Sequence, residues 1–257
     1  MKLVIDVGNT NVVMGIYEEN KLLEYWRLST SSIKTADEVG MFISVMFTKW
    51  KFDVDKVNDV IVTSVVPNIM YSLTHGVQKY LNIEPKIVSV EGKTGLNFNK
   101  MANPAELGAD RIVNCIAGYN LYGGPIVVVD YGTASTYDAV DKDGNFVTGI
   151  TAPGLKLTAD ALFAGTALLG KVAILKPDSI LATDTITSIQ SGLVYGHIGQ
   201  SEYIISKIKE ELGDSFKDAK IVATGGLSKV VSEGTDMFDV VDSKLTLYGT
   251  KLYGDMN

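Results

Sequence analysis

The amino-acid sequence predicts an α/β fold built from two copies of one unit, and three observations predict it. Short apolar runs of strand length alternate with longer stretches of helical periodicity. After Tyr122-Gly-Gly-Pro125 the chain starts again, with IVVVD at 126–130 answering KLVID at 2–6. Its 257 residues allow one large domain or two modest ones, at about 100 to 200 residues each.

The elements follow in order. Lys2 to Asp6 contains LVID, a buried strand, and residues 12–17 and 22–28 read as two more strands joined at Glu19-Asn20. Residues 36–50 have helical periodicity, 59–65 and 85–88 are strand-like, and a helix is expected between them over 67–81. A further helix is expected after Asn103-Pro104, where Asn can cap, Pro suits the first turn and Glu106 completes a capping-box-like spacing. The break at 122–125 divides the chain into domains of 1–121 and 122–257.

In the second half, a slide of 124 residues without a gap pairs Asp6 with Asp130, Gly8 with Gly132 and Val13 with Tyr137. The same slide sets Glu19-Asn20 over Asp143-Gly144 and Leu22 over Phe146. Two strand–Asp-x-Gly–strand units in register suggest duplication, although strand–turn–strand patterns also recur by chance in α/β chains. Residues 155–163 read as helical, 221–223 as a strand, and 185–212 as a long helix. Gly192, Gly196 and Gly199 share one face of that helix, at a cost of about 0.8 to 1.0 kcal/mol each relative to Ala. Close packing against another helix, including one across a dimer interface, would offset that cost; local unwinding is the alternative.

Composition excludes several classes. Hydrophobic residues at 46% and charged residues at 21% are globular proportions. Cys115 is the single cysteine, which rules out an internal disulfide framework and any zinc site of several cysteines. Lys and Arg number 23 against 30 Asp and Glu, a net charge of −7 with no basic tract, so nucleic acid is not an expected partner. The apolar run at the amino terminus stops at Asp6, and no stretch nears the ~20 apolar residues of a membrane span. A soluble, cytoplasmic protein is the expectation.

Two segments carry chemistry. Asp6-Val-Gly-Asn-Thr-Asn11 connects two strands as a hairpin, with Gly8 permitting close backbone approach and Asn9, Thr10 and Asn11 offering uncharged donors to phosphate oxygens. Asp130-Tyr-Gly-Thr-Ala-Ser-Thr136 occupies the equivalent place in the second half. If the two loops faced each other, phosphates would sit between them, and Asp6 and Asp130 would repel a polyphosphate unless cations neutralised the site. The pair therefore predicts bound metal. Gly108-Ala-Asp-Arg111 is a third informative segment: Asp110 and Arg111 point about 100° apart on a helix and cannot simply pair. It reads either as a solvated helix face or as a base and an anion clamp.

Other motifs fall away. Gly165 to Lys171 fits G-x-x-x-x-G-K, but Val172 stands where a P-loop needs Ser or Thr, and the run follows a helical pattern. His75 and His197 stand alone and read as structural or solvated. Thr224-Gly-Gly-Leu-Ser228 after a strand is either a nucleotide-base pocket or a plain turn.

Taken together, DVGNTN at 6–11, GADR at 108–111, DYGTAST at 130–136, APGL at 152–155 and ATGGLS at 223–228 resemble type III pantothenate kinase from end to end. The resemblance implies duplicated ribonuclease H-like (actin-like ATPase) domains with a nucleotide cleft between them, and a homodimer. It implies an ATP-dependent phosphorylation of pantothenate to 4'-phosphopantothenate, with Mg2+ and a monovalent cation, K+ or NH4+, as cofactors. Asp6, Val7, Gly8, Asn9, Thr10, Asn11, Val12 and Val13 would form the first phosphate loop, with Asp6 meeting magnesium through water, and Thr133 would touch ATP. Gly108, Ala109, Asp110, Arg111 and Thr185 would line the pantothenate site. Asp110 would be the general base and Asp130 the monovalent-cation ligand.

Two departures stand out. Before GADR the family usually has a Tyr-Asp pair where this chain has Met101-Ala102, in a stretch one residue longer, and the glycine pair usual before APGL is Thr148-Gly149. Competing expectations are a kinase or phosphatase of the same superfamily acting on another small molecule, and a non-catalytic transcriptional accessory protein.

Overall fold

Leu3, Val4, Ile5 and Val7 have no exposed surface, as expected of a strand covered on both faces. In the computed structural model, which describes residues 1–167 and 169–257, they lie on β1 (Lys2–Val7), the centre of a five-stranded sheet. β1 pairs antiparallel with β2 (Asn11–Glu18), and β2 with β3 (Lys21–Ser29). On its other side β1 runs parallel to β4 (Asp59–Ser64), which runs parallel to the short β5 (Lys86–Ile87). Helix α1 (Ala36–Trp50) joins β3 to β4, and α2 (Pro67–Leu81) joins β4 to β5. Both helices span the residues their periodicity predicts. Thr35 and Glu38 form a reciprocal capping box at the start of α1, and Pro67 opens α2. Their apolar faces, Val39, Ile43 and Phe47 with Leu73 and Val77, pack with Leu3, Ile5, Val12 and Met14 in one core.

After α3 (Ala109–Tyr122) the second sheet repeats the first. Its strands are β6 (Ile126–Tyr131), β7 (Ala134–Val140), β8 (Phe146–Pro153), β9 (Lys220–Thr224) and β10 (Val240–Val241). Their order, β10-β9-β6-β7-β8, matches β5-β4-β1-β2-β3 strand for strand, with the same parallel and antiparallel pairings. Even an irregularity is shared: the ladder slips between Ile16 and Tyr17 in one sheet and between Ala139 and Val140 in the other. Helices α4 (Leu155–Ala164) and α5 (Thr185–Leu212) lie between β8 and β9, and α6 (Ser228–Ser232) lies between β9 and β10. The chain ends with α7 (Leu245–Met256).

The register corrects the ungapped slide at one point. Asp6 faces Val13 across β1/β2, whereas Asp130 faces Thr136 across β6/β7. The first hairpin loop is one residue longer, closing by Gly8 N–H to Asn11 O where the second closes by Gly132 N–H to Ala134 O. Val13 therefore corresponds to Thr136, not Tyr137. The offset of 124 returns only across the next turn, in β3 and β8, where Leu22 opposite Tyr17 matches Phe146 opposite Val140.

The chain forms two compact units: Met1–Gly95 with Asn103–Ala117 and Thr246–Asn257, and Leu96–Ala102 with Gly118–Leu245. In the first, α7 is tied to the sheet by a buried Thr250–Thr63 hydroxyl bond of 2.8 Å. Alternating charges add to this: Lys251 and Lys2 each reach Asp255 at 2.5 Å, and Asp59 takes Lys2 and Lys86. The two lysines hold the Asp255 carboxyl below the ordinary range, outweighing the opposing effect of its burial.

Two expectations change. The helix expected after Asn103-Pro104 begins only at Ala109; Pro104–Glu106 is a single 3-10 turn. The Asn103 side chain donates to Glu106 Oε1 at 2.8 Å instead of capping, and extended Leu107 stops the turn from propagating. Helix α5 runs unbroken through Gly192, Gly196 and Gly199, and these glycines are exposed, with nothing beyond the helix's own backbone and chain neighbours within 4 Å of where their Cβ atoms would lie. Neither unwinding nor close packing within the chain accounts for them. No helix among the described residues is long and apolar enough to cross a membrane.

Candidate active site

Glycine and asparagine at the tip of β1/β2 make a tight loop, and its geometry is fixed from below. Thr30, just past β3, gives its hydroxyl to Gly8 O at 2.6 Å and its amide to Thr10 O at 3.1 Å. Asn9 and Thr10 are exposed, while Val7 and Val12 are buried in the sheet.

Asp110 stands in the first turn of α3. Its Oδ1 accepts the backbone N–H of Arg111 at 2.8 Å, so the neighbours do meet, through main chain. Burial pushes the Asp110 carboxyl above the ordinary carboxylate range, against the opposing pull of the Arg111 amide and charge. A carboxylate in that state is suited to taking a proton. Gly108 makes room for it: a Cβ there would lie 2.5 Å from Asp110 Oδ1. Val65 brings the two segments of this unit together. Its N–H binds Val7 O at 3.1 Å, and its Cγ1 lies 3.5 Å from that same Gly108 position.

The second loop is held by backbone. Gly154 of the APGL motif donates its N–H to Thr133 O at 3.2 Å, and a Cβ on it would lie 2.3 Å from that oxygen. Gly225 of the ATGGLS motif has φ +92°, and a Cβ there would meet Asp130 Oδ1 at 2.3 Å and Tyr131 N at 2.6 Å. Both motifs thus require glycine because the loop's own main chain and Asp130 press against them. Beneath, Ser201 Oγ accepts from Tyr131 at 2.6 Å, lies 2.8 Å from Tyr137 Oη and donates to His197 O at 2.8 Å. Burial raises both tyrosine hydroxyls, which stay neutral. Thr133 is exposed on the loop. Thr185, the exposed first residue of α5, takes no part in these bonds; its helix is capped by Asp184, whose Oδ1 accepts Thr187 N–H at 2.9 Å.

Asp130 lies between Thr136 and Thr224 in the register of three adjacent strands, so the three side chains share one face. The Thr136 and Thr224 hydroxyls are buried and have no hydrogen-bond partner among the described residues, a state that costs about 1 to 3 kcal/mol per group unless a ligand or water fills it. The equivalent row of the first sheet is Val13, Asp6 and Thr63, where Thr63 is satisfied by Thr250. One carboxylate flanked by two free hydroxyl oxygens is a donor set for a hard cation, and only the second row offers it. Among the described residues no group of three or more His, Cys, Asp or Glu gathers as a metal site.

The remaining motifs are structural. His75 stacks on Tyr71 at 3.9 Å, and His197 is buried with its ring nitrogens at carbonyl oxygens of Leu193 and Pro153. Gly165 caps the end of α4, and Leu168 of the G-x-x-x-x-G-K run lies outside the described residues. Sequence reasoning missed Thr30 and Val65, and it named Thr136 and Thr224 only as members of their segments, without placing them beside Asp130. A signal for Thr30 was present, since the 124-residue slide lays it over Gly154.

A family model described as type III pantothenate kinase matches residues 2–207. A type III pantothenate kinase from Agathobacter rectalis is 50% identical over 252 residues, covering 98% of this chain and 96% of that protein. Among solved structures, a proposed Baf family transcriptional activator from Campylobacter jejuni is similar with a TM-score of 0.56 at 21% identity, over 98% of this chain and 96% of that one. The activator of 2-hydroxyisocaproyl-CoA dehydratase from Clostridium difficile, solved with ADPNP bound, gives a TM-score of 0.53 at 11% identity, over 98% and 93%.

Proposed function

Given that the chain belongs to the type III pantothenate kinase family, we propose how its residues divide the work of that reaction. The protein phosphorylates pantothenate at the expense of ATP, in the pathway to coenzyme A. In the proposed step, Asp110 accepts the proton of the pantothenate hydroxyl as its oxygen bonds to the γ-phosphorus; the bond from that phosphorus to the bridging oxygen breaks, and ADP leaves. The observation that carries this is the Asp110 carboxyl, raised above the ordinary range by burial and lying against Gly108, which in turn lies beside Val65, the residue hydrogen-bonded to Val7 of the first loop.

Arg111 binds the pantothenate carboxylate, together with Gly108, Ala109 and Thr185. Asp6 to Val13 and Thr133 would hold the phosphates, and the Asp6 carboxylate would help to hold the magnesium that neutralises them. Asp130, Thr136 and Thr224 would hold the monovalent cation, which would supply positive charge to offset that of the phosphates. The working compartment in this reading is the cytoplasm. Purified protein given ATP, magnesium and pantothenate is expected to form phosphopantothenate in potassium or ammonium salts and far less in sodium. Equal product in sodium would remove the cation role of Asp130; no product in any salt, from folded protein, would remove the proposed assignment of residues.

The protein works as a homodimer in this reading, with the exposed glycine face of α5 as the seam. In a monomer, Gly196→Ala on an exposed helix would stabilise by about 0.5 to 1 kcal/mol. At a close helix crossing the added methyl instead separates the copies. Light scattering after size exclusion is expected to show Gly196→Ala shifted toward monomer relative to wild type; an unchanged dimer would place the seam elsewhere.

A further inference from the structure

The duplicated sheets allow the two hairpin loops to be compared bond by bond. Ser29 pairs with Asn11 at the end of the first hairpin and Pro153 with Ala134 at the end of the second, so Thr30 and Gly154 are equivalent. Each donates its N–H to the corresponding loop carbonyl, Thr10 O at 3.1 Å and Thr133 O at 3.2 Å. The halves then part. Gly154 has no room for a side chain, because the shorter loop lies on it. Thr30, only 7% exposed, uses its side chain for a second bond, to Gly8 O at 2.6 Å. The longer loop thus carries one more tie from this position than the shorter one.

This tie has a stereochemical consequence. In a planar trans peptide the C=O and N–H groups point to opposite sides. Drawing the Gly8 and Thr10 carbonyls toward buried Thr30 turns the N–H groups of Asn9 and Asn11 away from it. The Asn9 N–H then faces the exposed side of the loop, where oriented backbone N–H groups make an anion-binding concavity. We infer that Thr30 is a positioning residue that shapes the first loop for the phosphates of the nucleotide. The inference rests on the reading of residues 6–13 as a phosphate loop.

The test compares Thr30→Val, which keeps the shape and loses the hydroxyl, with Thr30→Ser, which keeps the hydroxyl, in the full-length protein. Asn9→Asp, which places a charge on the loop tip, tests the phosphate-loop reading by itself. ADPNP with magnesium is titrated calorimetrically, and KM is measured for ATP and pantothenate. Thr30→Val is expected to weaken ADPNP about tenfold, the loss of roughly one well-placed hydrogen bond, and to raise KM for ATP to match. KM for pantothenate and the melting temperature should hardly move, and Thr30→Ser should recover most of the affinity. If Asn9→Asp loses ADPNP while Thr30→Val binds it like wild type, Thr30 does not shape the loop. Equal losses in the Val and Ser variants, or parallel rises in both KM values, would make Thr30 merely structural. Wild-type binding by Asn9→Asp would overturn the phosphate-loop reading and the role of Thr30 with it.

Discussion

Asp110→Asn is expected to fold, to bind ATP and pantothenate, and to turn over about 10²- to 10⁴-fold more slowly, the usual worth of a general base. Asn keeps the shape and an oxygen that can accept the Arg111 amide, now at 2.8 Å, so a loss of rate with unchanged substrate affinity isolates the proton transfer. Normal turnover in the folded variant would remove Asp110 from the base role. The same substitution makes a prediction of opposite sign for stability. Burial raises the folded-state carboxyl above its unfolded value, so the group favours the fold below the unfolded pKa of about 3.9. That favour is lost as pH rises through the raised folded value. At about pH 7 the wild type carries the cost of a buried charge and Asn does not. Melting curves should therefore show Asp110→Asn as the more stable protein near neutrality, with the gap closing as pH falls toward about 4. In wild type, kcat should fall on the acid side with an apparent pKa above that of a free carboxyl.

Gly225→Ala is expected to be the most damaging single methyl near the second loop. The residue has φ +92°, and the new Cβ would fall within 2.3 Å of Asp130 Oδ1, 2.6 Å of Tyr131 N and 2.7 Å of Tyr131 C. Two of these neighbours are backbone atoms of a central strand, which cannot turn aside as a side-chain tip can. Backbone strain and collision together should cost about 3 to 5 kcal/mol and displace the Asp130 carboxylate. Gly226, one residue on, has open space where its Cβ would go and a φ outside the left-handed region, so Gly226→Ala should stay within about 0.5 kcal/mol of wild type. Urea unfolding of the pair checks this. Similar stability of both variants would mean that β6 and the β9–α6 turn give way more easily than their packing implies.

Periodicity, capping and turn chemistry act over a few residues, and at that range the sequence determined the outcome. The spans of α1, α2 and α5 follow from apolar spacing and from signals such as Thr35 with Glu38 and Pro67. The repeat of LVID by IVVVD marks a duplicated fold because β1 and β6 are central strands whose burial dictates their composition. The GADR, DYGTAST and ATGGLS segments, with DVGNTN and APGL, carry the family resemblance in the sequence alone. What the tertiary structure decided depends on residues distant in the chain. A one-residue difference between hairpin loops is set by strand pairing, and it moves the counterpart of Val13 from Tyr137 to Thr136, which faces Asp130. The last helix belongs with the first sheet through Thr250, Lys251 and Asp255, more than 180 residues from their partners Thr63, Asn20 and Lys2. The raised Asp110 carboxyl, the pressure of Asp130 on Gly225 and the grip of Thr30 on Gly8 are contacts between segments that local preference does not bring together. Burial and steric exclusion are properties of the packed chain, so they are fixed only when the sheets assemble.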